Sequence, residues 1–366
     1  MSARIVVFGA TGYTGERTAR ELVARGARPV LAGRSAQRLD QLADELGGLE
    51  VRVADVGQPH SVTELVEAGD VLLTTVGPFA QWGDPAVEAA VEQAAWYIDS
   101  TGEPTFIRRV FERYGPRAEA AGIGLVTACG FDWVPGNLAG ALALAAAGPE
   151  AVSVDIGYFP SSPGGISGGT RASIVPIVIE PGFAYRGGQL RPERTGAHVK
   201  EFTLDNGKRR GGVSVGSSEH FGLPPLHPTL LEVTVVLGQA VPLLAGVPVA
   251  TGLLSAAMHV PGVRPGAARL LHSSFKGSSG GPDAASRARG RCTVVAEARD
   301  ASGSLLERVQ LDGPDGYDFT FGILAWAAMT AADEGLQGTG ALGPVQAFGL
   351  ARLVEAAASI GLEQTQ

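Results

Sequence analysis

The chain has 366 residues, enough for two ordinary domains, because a single core stops growing at roughly 250 to 300 residues. Its 29 Lys and Arg against 37 Asp and Glu give a net charge of −8, and no basic run or basic-aromatic stripe supplies the footprint that a phosphate backbone requires. Nucleic acid is not an expected partner. Cys129 and Cys292 are the only cysteines. No charged-then-apolar leader precedes the first apolar run, so free thiols in a cytoplasmic protein are expected.

The opening alternates strands and helices in the manner of a doubly wound sheet. Strands are expected at Arg4 to Phe8, Pro29 to Ala32, Val51 to Ala54, Asp70 to Val76, Trp96 to Ser100 and Gly124 to Ala128. Between them the spacing predicts helices at Gly15 to Arg25, Gln37 to Glu45, Ser61 to Ala68, Pro85 to Ala95 and Thr105 to Ala121. Six strands in this order match a Rossmann-type, doubly wound parallel sheet of α/β class. The expected dinucleotide-binding domain is 1–138.

After Ala151 the texture changes to strands joined by tight turns, and a second α+β domain with an antiparallel sheet is expected over 139–318. Val152 to Phe159 and Arg171 to Glu180 read as strands. Hairpins are expected at Asp205-Asn206-Gly207 and between Cys292 to Arg299 and Leu305 to Leu311. The remaining residues, 319–366, read as helices at Thr320 to Ala332 and Pro344 to Ile360 that return to the first domain.

Val233 to His259 contains no Asp, Glu, Lys or Arg. A buried core or dimer interface, a lid that touches acyl chains or membrane, and a true span all fit its length. Pro242, Pro248 and three glycines interrupt it, and each proline removes a backbone donor that lipid cannot replace. Core or interface is the expected reading, within a homodimer.

Directly after the first strand stands Gly9-Ala10-Thr11-Gly12-Tyr13-Thr14-Gly15. Such a turn lets backbone amides and a helix N-terminus approach a pyrophosphate, with the last glycine allowing close helix packing. The second strand ends in Gly33-Arg34-Ser35 rather than in an acidic residue. Arg34 can fork onto a 2′-phosphate and Ser35 can donate to it, so NADP(H) is the expected cofactor; a solvated arginine is the bland alternative. Asp55, after the third strand, borders the adenine or caps the next helix. The loop Thr75-Val76-Gly77-Pro78-Phe79 follows the fourth strand and is expected to flank the pyrophosphate and nicotinamide ribose.

The run VGPFAQWGDPAVEAAVEQAAWYIDSTGEPTFIRRV and the later TACGFDWVPGNLAG resemble the saccharopine dehydrogenase-like oxidoreductases, especially their trans-acting enoyl reductase branch. GATGYTG, AGRS, VGPF with Gly83, YIDSTGE and the turn from Cys129 to Pro135 carry the resemblance. It continues in Gly168-Gly169-Thr170, DGPDGYDFTF and GALGPVQAFGLARL, and departs at Trp133 and at Gly136-Asn137, where the branch carries FDSIPSD. The resemblance implies a two-domain NADP(H) oxidoreductase that acts on polyketide-like or lipid chains.

Hydride transfer belongs to the cofactor, so the protein must orient substrate and supply a proton. Asp99, Thr101 and Glu103 follow the fifth strand, and Asp132 follows the sixth between Phe131 and Trp133. Asp132 is the expected acid or orienting carboxylate, its pKa raised by desolvation; a cap for the helix that starts near Pro135 is the alternative. Tyr158, Thr170 and Arg171 are placed beside glycine-rich turns facing the cleft, and Tyr158 and Arg171 join the expected catalytic set. Cys129 reads as a core thiol. The six histidines lack metal-ligand spacing, and no metal is expected. A short-chain dehydrogenase is excluded because no tyrosine has lysine four residues on. The expected function is an NADP(H)-dependent reductase acting on C=C or C=N in an apolar small-molecule or carrier-linked substrate. The rival is a non-catalytic NADP(H)-sensing or lipid-associated module.

Overall fold

In the computed structural model, residues 3–161, 167–168, 182–238, 252 and 280–365 are described. The expected strand at Arg171 to Glu180, Thr170 and Arg171 themselves, and most of the charge-free stretch lie outside them.

The first sheet is built from β1 (Ile5–Phe8), β2 (Val30–Gly33), β3 (Val51–Val53), β4 (Val71–Thr74), β5 (Trp96–Asp99) and β6 (Gly124–Val126). Every pairing is parallel, and the order is β3-β2-β1-β4-β5-β6. A parallel sheet buried on both faces favours uninterrupted apolar runs, and β1, β2 and β4 are buried along their whole length. Alternate residues of β1 serve opposite faces. Val6 and Phe8 join the core under the helices at residues 59–63, 84–93 and 104–121, whereas Ile5 and Val7 join the larger core on the other face. That larger core includes Ala19 and Leu22 of the helix Tyr13–Ala24 and Phe319, Ile323 and Leu324 of the helix Gly316–Glu334. The helix Gly316–Glu334 packs on the helix Tyr13–Ala24 and on β1, β4 and β5.

Local chemistry sets several boundaries that the sequence did not reveal. The helix expected over Thr105 to Ala121 is Pro104–Arg109, a π-helical turn Val110–Tyr114, and Gly115–Ala121. Pro116 has no N–H to give the carbonyl four residues back, and the widened turn absorbs the missing bond. The helix expected over Ser61 to Ala68 is only Pro59–Thr63. Pro344 to Ile360 is two helices, Pro344–Phe348 and Leu350–Ser359, parted by Gly349 at φ +79°.

From β6 the chain turns into the helix Val134–Ala147, which packs on the second sheet and spans residues 138 and 139 without a break. The second sheet comprises β7 (Ser153–Ser161), β8 (Phe183–Arg186), β9 (Gln189–Pro192), β10 (Val199–Thr203), β11 (Arg209–Ser214), β12 (Glu232–Gly238), β13 (Arg291–Arg299) and β14 (Leu305–Pro314). Its main order is β10-β11-β12-β7-β13-β14, with β8 and β9 joined at β12. It is mostly antiparallel, but β12 runs parallel to β7. Val233 and Val235 of β12 are buried in the larger core, so the start of the charge-free stretch is a core strand. The turn at Asp205-Asn206-Gly207 places Gly207 at φ +76°, with Lys208 N donating to Asn206 Oδ1 at 3.0 Å.

Two short strands complete the sheets: β15 (Gly340–Ala341) adds a seventh parallel strand beside β6, and β16 (Glu363–Gln364) pairs antiparallel with β14. Among the described residues no helix is long and apolar enough to cross a membrane.

Candidate functional site

The carboxyl ends of β1, β4, β5 and β6 converge on one edge of the first sheet. Gly9 leaves β1 at φ +91°, and Gly12 N donates to Gly9 O at 2.9 Å to close the turn. A Cβ on Gly15 would lie 2.3 Å from Gly9 O, and one on Gly9 would lie 2.8 Å from Thr75 Oγ1. These glycines hold the helix Tyr13–Ala24 and the loop after β4 against β1. Gly12 is exposed at the helix N-cap, and no side chain caps that end. The first amides of this helix therefore face outward beside Thr11 and Thr14, an arrangement that suits an anionic pyrophosphate.

Tyr13 turns away from that opening. Its hydroxyl donates to Pro282 O at 2.6 Å and receives Arg287 Nη1 at 3.1 Å, while its ring meets Tyr317 and Phe321 edge-on. Arg287 is buried and also bonds Asp318 at 2.6 Å. The glycine-rich loop is thus clamped by the far end of the chain.

At β2, Gly33 is buried and Arg34 is exposed, and among the described residues no hydrogen bond or ion pair engages Arg34. Ser35 caps the helix Ala36–Glu45 by accepting from Arg38 N at 3.4 Å. Arg38 Nη2 reaches back to Thr11 O at 2.6 Å, which places a second exposed guanidinium beside the loop. The Gly-Arg-Ser-x-x-Arg spacing was visible in sequence, but Arg38 was not picked out. Asp55 is no helix cap: its Oδ1 accepts from Gly57 N at 2.8 Å, and Gln58 holds the cap position.

After β4, Thr75 and Val76 are half-buried, Gly77 is exposed and Pro78 leads into a short helix, Phe79–Trp82. The ring of Phe79 is buried against Phe106, so this residue supports the loop from beneath. Glu103 accepts from Phe79 N and Ala80 N, both at 2.8 Å. Asp99 accepts from Thr101 N, Ala128 N and Thr127 Oγ1 at 2.8 to 2.9 Å, tying the ends of β5 and β6 together. Burial pushes the Asp99 carboxyl up to about 6. These two carboxylates build the shelf and are spent on it.

Asp132 differs. It retains some exposure, sits against Gly102, and among the described residues no hydrogen bond or ion pair engages its carboxylate. Desolvation pushes it up to about 6. It does not cap the following helix, because Trp133 occupies the cap position and no side chain serves that end. Tyr158 is fully buried, its hydroxyl 2.6 Å from Gly136 N, 3.1 Å from Trp133 O and 2.7 Å from Glu219 Oε1. It stands behind the Asp132 turn, sealed from the cleft. Cys129 is buried and burial raises its thiol pKa. Among the described residues no group of three or more His, Cys, Asp or Glu is arranged to hold a metal ion.

A family model described as NAD(P)H-binding matches residues 9–100. A trans-acting enoyl reductase of Mycobacterium ulcerans is 42% identical over 140 residues, which are 37% of this chain and 34% of that protein. A trans-acting enoyl reductase of Mycobacterium tuberculosis is 39% identical over 140 residues, with the same shares. The chain thus matches about a third of the length of these relatives. An apo saccharopine dehydrogenase (L-Glu forming) of Saccharomyces cerevisiae superposes with a TM-score of 0.58 at 12% identity, covering 99% of both chains. The chain therefore carries a nicotinamide-dinucleotide-binding domain, is homologous over 140 residues with trans-acting enoyl reductases, and has the saccharopine dehydrogenase fold.

Proposed function

We propose that the protein is an NADP(H)-dependent reductase that saturates the C=C bond of an enoyl group in an apolar, carrier-linked substrate. The observation that carries this reading is Asp132: a carboxyl at the strand ends, without a partner among the described residues and raised to about 6. The names of the homologous relatives support the enoyl class.

The residues present fit a dinucleotide. Gly9 and Gly15 let the loop close tightly against Thr75 and the helix start, Gly12 leaves the exposed face of the turn bare of a side chain, and the uncapped helix end beside Thr11 and Thr14 would receive the pyrophosphate. Arg34, with Arg38 alongside, takes the 2′-phosphate and favours NADP(H) over NAD(H). When bound, the dinucleotide supplies hydride to the β-carbon of the enoyl group. Asp132 in its protonated form then gives its proton to the α-carbon and is left as carboxylate, reloaded from solvent through its exposed side. Asp99 and Glu103 hold the shelf on which this geometry rests.

In this reading residues 1–138 hold the dinucleotide and 139–318 close the substrate side, with Arg171 contributed from outside the described residues. Two free buried cysteines support a reducing, cytoplasmic setting, and a homodimer is the expected assembly. The experiment is anaerobic incubation with NADPH and a series of α,β-unsaturated acyl thioesters. Saturated thioester formed in step with NADP⁺ supports the reading, and tight NADPH binding with no product from any chain length overturns it.

A further inference from the structure

The Gly136-Asn137 pair, where the chain departs from the FDSIPSD run, lies against a buried polar group that the mechanism above does not use. Glu219 is fully buried, its Oε1 is 2.7 Å from the Tyr158 hydroxyl, and among the described residues its Oε2 has no hydrogen-bond partner. A Cβ on Gly136 would lie 2.2 Å from Glu219 Oε1 and 2.3 Å from the Tyr158 hydroxyl. The absent side chain at 136 is what lets carboxyl and phenol meet the first turn of the helix Val134–Ala147. Asn137 Nδ2 donates to Trp133 O and to Ser218 Oγ, both at 2.9 Å, and so ties the same turn to the residue before Glu219.

One phenolic proton serves three contacts. Gly136 N–H donates to the phenol oxygen, and Trp133 O can only accept. If the phenol donates to Trp133 O, the 2.7 Å contact needs a proton on Glu219. If Glu219 is ionised, it draws the phenolic proton away from Trp133 O. The state of Glu219 therefore decides whether Tyr158 braces the carbonyl one residue beyond Asp132.

We propose that Glu219, holding a proton, and Tyr158 form a buried positioning pair that fixes the turn from Phe131 to Gly136 and through it the Asp132 carboxyl. This rests on the role given to Asp132. Burial is the largest influence on Glu219 and pushes it up to about 8, and the Asp132 charge on the turn adds to it; hydrogen bonds from Tyr158 on β7, from Ser217 and from the Glu219 backbone act in the opposite direction and are outweighed. His220, next in the chain, faces Ser217 through Nδ1 at 3.0 Å and is kept neutral by burial, which pushes it down to about 3; Arg186 of β8 acts on His220 in the same direction.

The test combines infrared detection of protonated carboxyl with hydrogen exchange of the segment 130–137, in wild type, Glu219→Gln and Tyr158→Phe. Asp99 and Asp132 are largely ionised at pH 7.5, so a protonated-carboxyl band there reports Glu219. We expect that band in wild type, its loss in Glu219→Gln, and its loss in wild type above about pH 8. After correction for intrinsic exchange, protection of 130–137 in wild type should fall by up to about tenfold per pH unit as pH rises toward about 8 and level off above it. Glu219→Gln should hold its protection, and Tyr158→Phe should lack it throughout. A wild type with no such band, or Glu219→Gln and wild type losing protection together, overturns the proposal. NADPH binding by each variant reports that it is folded. If wild type reduces no enoyl thioester while band and protection behave as stated, the reductase reading fails and the positioning pair stands. If it does reduce one while both readouts are flat, the pair alone fails.

Discussion

Arg287 Nη1 lies 3.1 Å from the hydroxyl of Tyr13, joining a residue of the glycine-rich loop to one 274 positions later. The guanidinium is held in turn by Asp318 and by Pro282 O at 2.8 Å, so the loop that cradles the pyrophosphate is braced by the second half of the chain. Arg287→Met removes charged hydrogen bonds that contribute about 1.5 to 3 kcal/mol each. The expected result is lower unfolding stability together with at least a threefold weaker NADPH affinity, measured by urea titration and cofactor fluorescence. Unchanged affinity in a destabilised protein would separate the clamp from the dinucleotide site.

The glycines of the loop differ in what surrounds them. A Cβ at Gly15 meets Gly9 O at 2.3 Å and Thr75 Oγ1 at 2.8 Å, whereas one at Gly12 meets only Gly9 O, at 3.2 Å. Gly15→Ala should therefore cost roughly 1 to 3 kcal/mol through overpacking, and Gly12→Ala much less. Gly12→Val should fold and fail to bind dinucleotide. Thermal melts with and without NADPH check both, and equal melting shifts for the two alanine variants would contradict the loop geometry.

Arg34 is exposed and without an internal partner among the described residues, so its removal should touch cofactor choice and little else. NADPH is expected to bind at least about tenfold more tightly than NADH, about 1.4 kcal/mol, and Arg34→Ala should erase most of that preference. Fluorescence titration with both dinucleotides reads it directly. A preference that survives Arg34→Ala but not Arg38→Ala would move the phosphate site by one helical turn.

Stability should fall as pH rises from about 4 toward about 8. Glu219 is raised to about 8, and Asp99 and Asp132 to about 6. All three keep protons in the folded state that the unfolded chain releases near about pH 4, so their contribution is complete below that pH and is lost as pH rises through 6 and then 8. His220, pushed down to about 3, acts at the other end: its contribution is present above about pH 6.5 and is lost as pH falls toward 3. Glu219→Gln should flatten the decline, seen as a urea midpoint that changes less than wild type between pH 6 and 9. Parallel declines would contradict the raised Glu219.

Six strands of the first sheet were legible because a parallel sheet covered on both faces leaves unbroken apolar runs such as Ile5–Phe8 and Val71–Thr74. β15 was not legible, since Gly340–Ala341 is two residues without a pattern and is recruited only by the edge of β6. Asp132 could be picked from its place after an apolar run. Its lack of partners among the described residues could not, because that depends on Trp133 taking the helix cap and on Asp99 taking the nearby amides. Glu219 gave no signal: Ser-Ser-Glu-His reads as a surface turn, and only the approach of Tyr158 and Gly136 across 61 and 83 positions buries it. Tyr13 belongs to the loop motif, yet its hydroxyl serves Pro282 and Arg287, contacts too distant in sequence for any local pattern to register.

Single-turnover oxidation of enzyme-bound NADPH by an α,β-unsaturated acyl thioester, followed across pH in wild type and Asp132→Asn, bears most directly on Asp132 as the proton donor. With the donor raised to about 6, the wild-type rate should be highest below that pH and fall as pH rises through it. Asp132→Asn should bind NADPH as tightly as wild type, lose roughly a hundredfold or more in rate, and show no limb near pH 6. An Asp132→Asn protein that reduces the thioester at the wild-type rate with the wild-type pH profile would contradict the account.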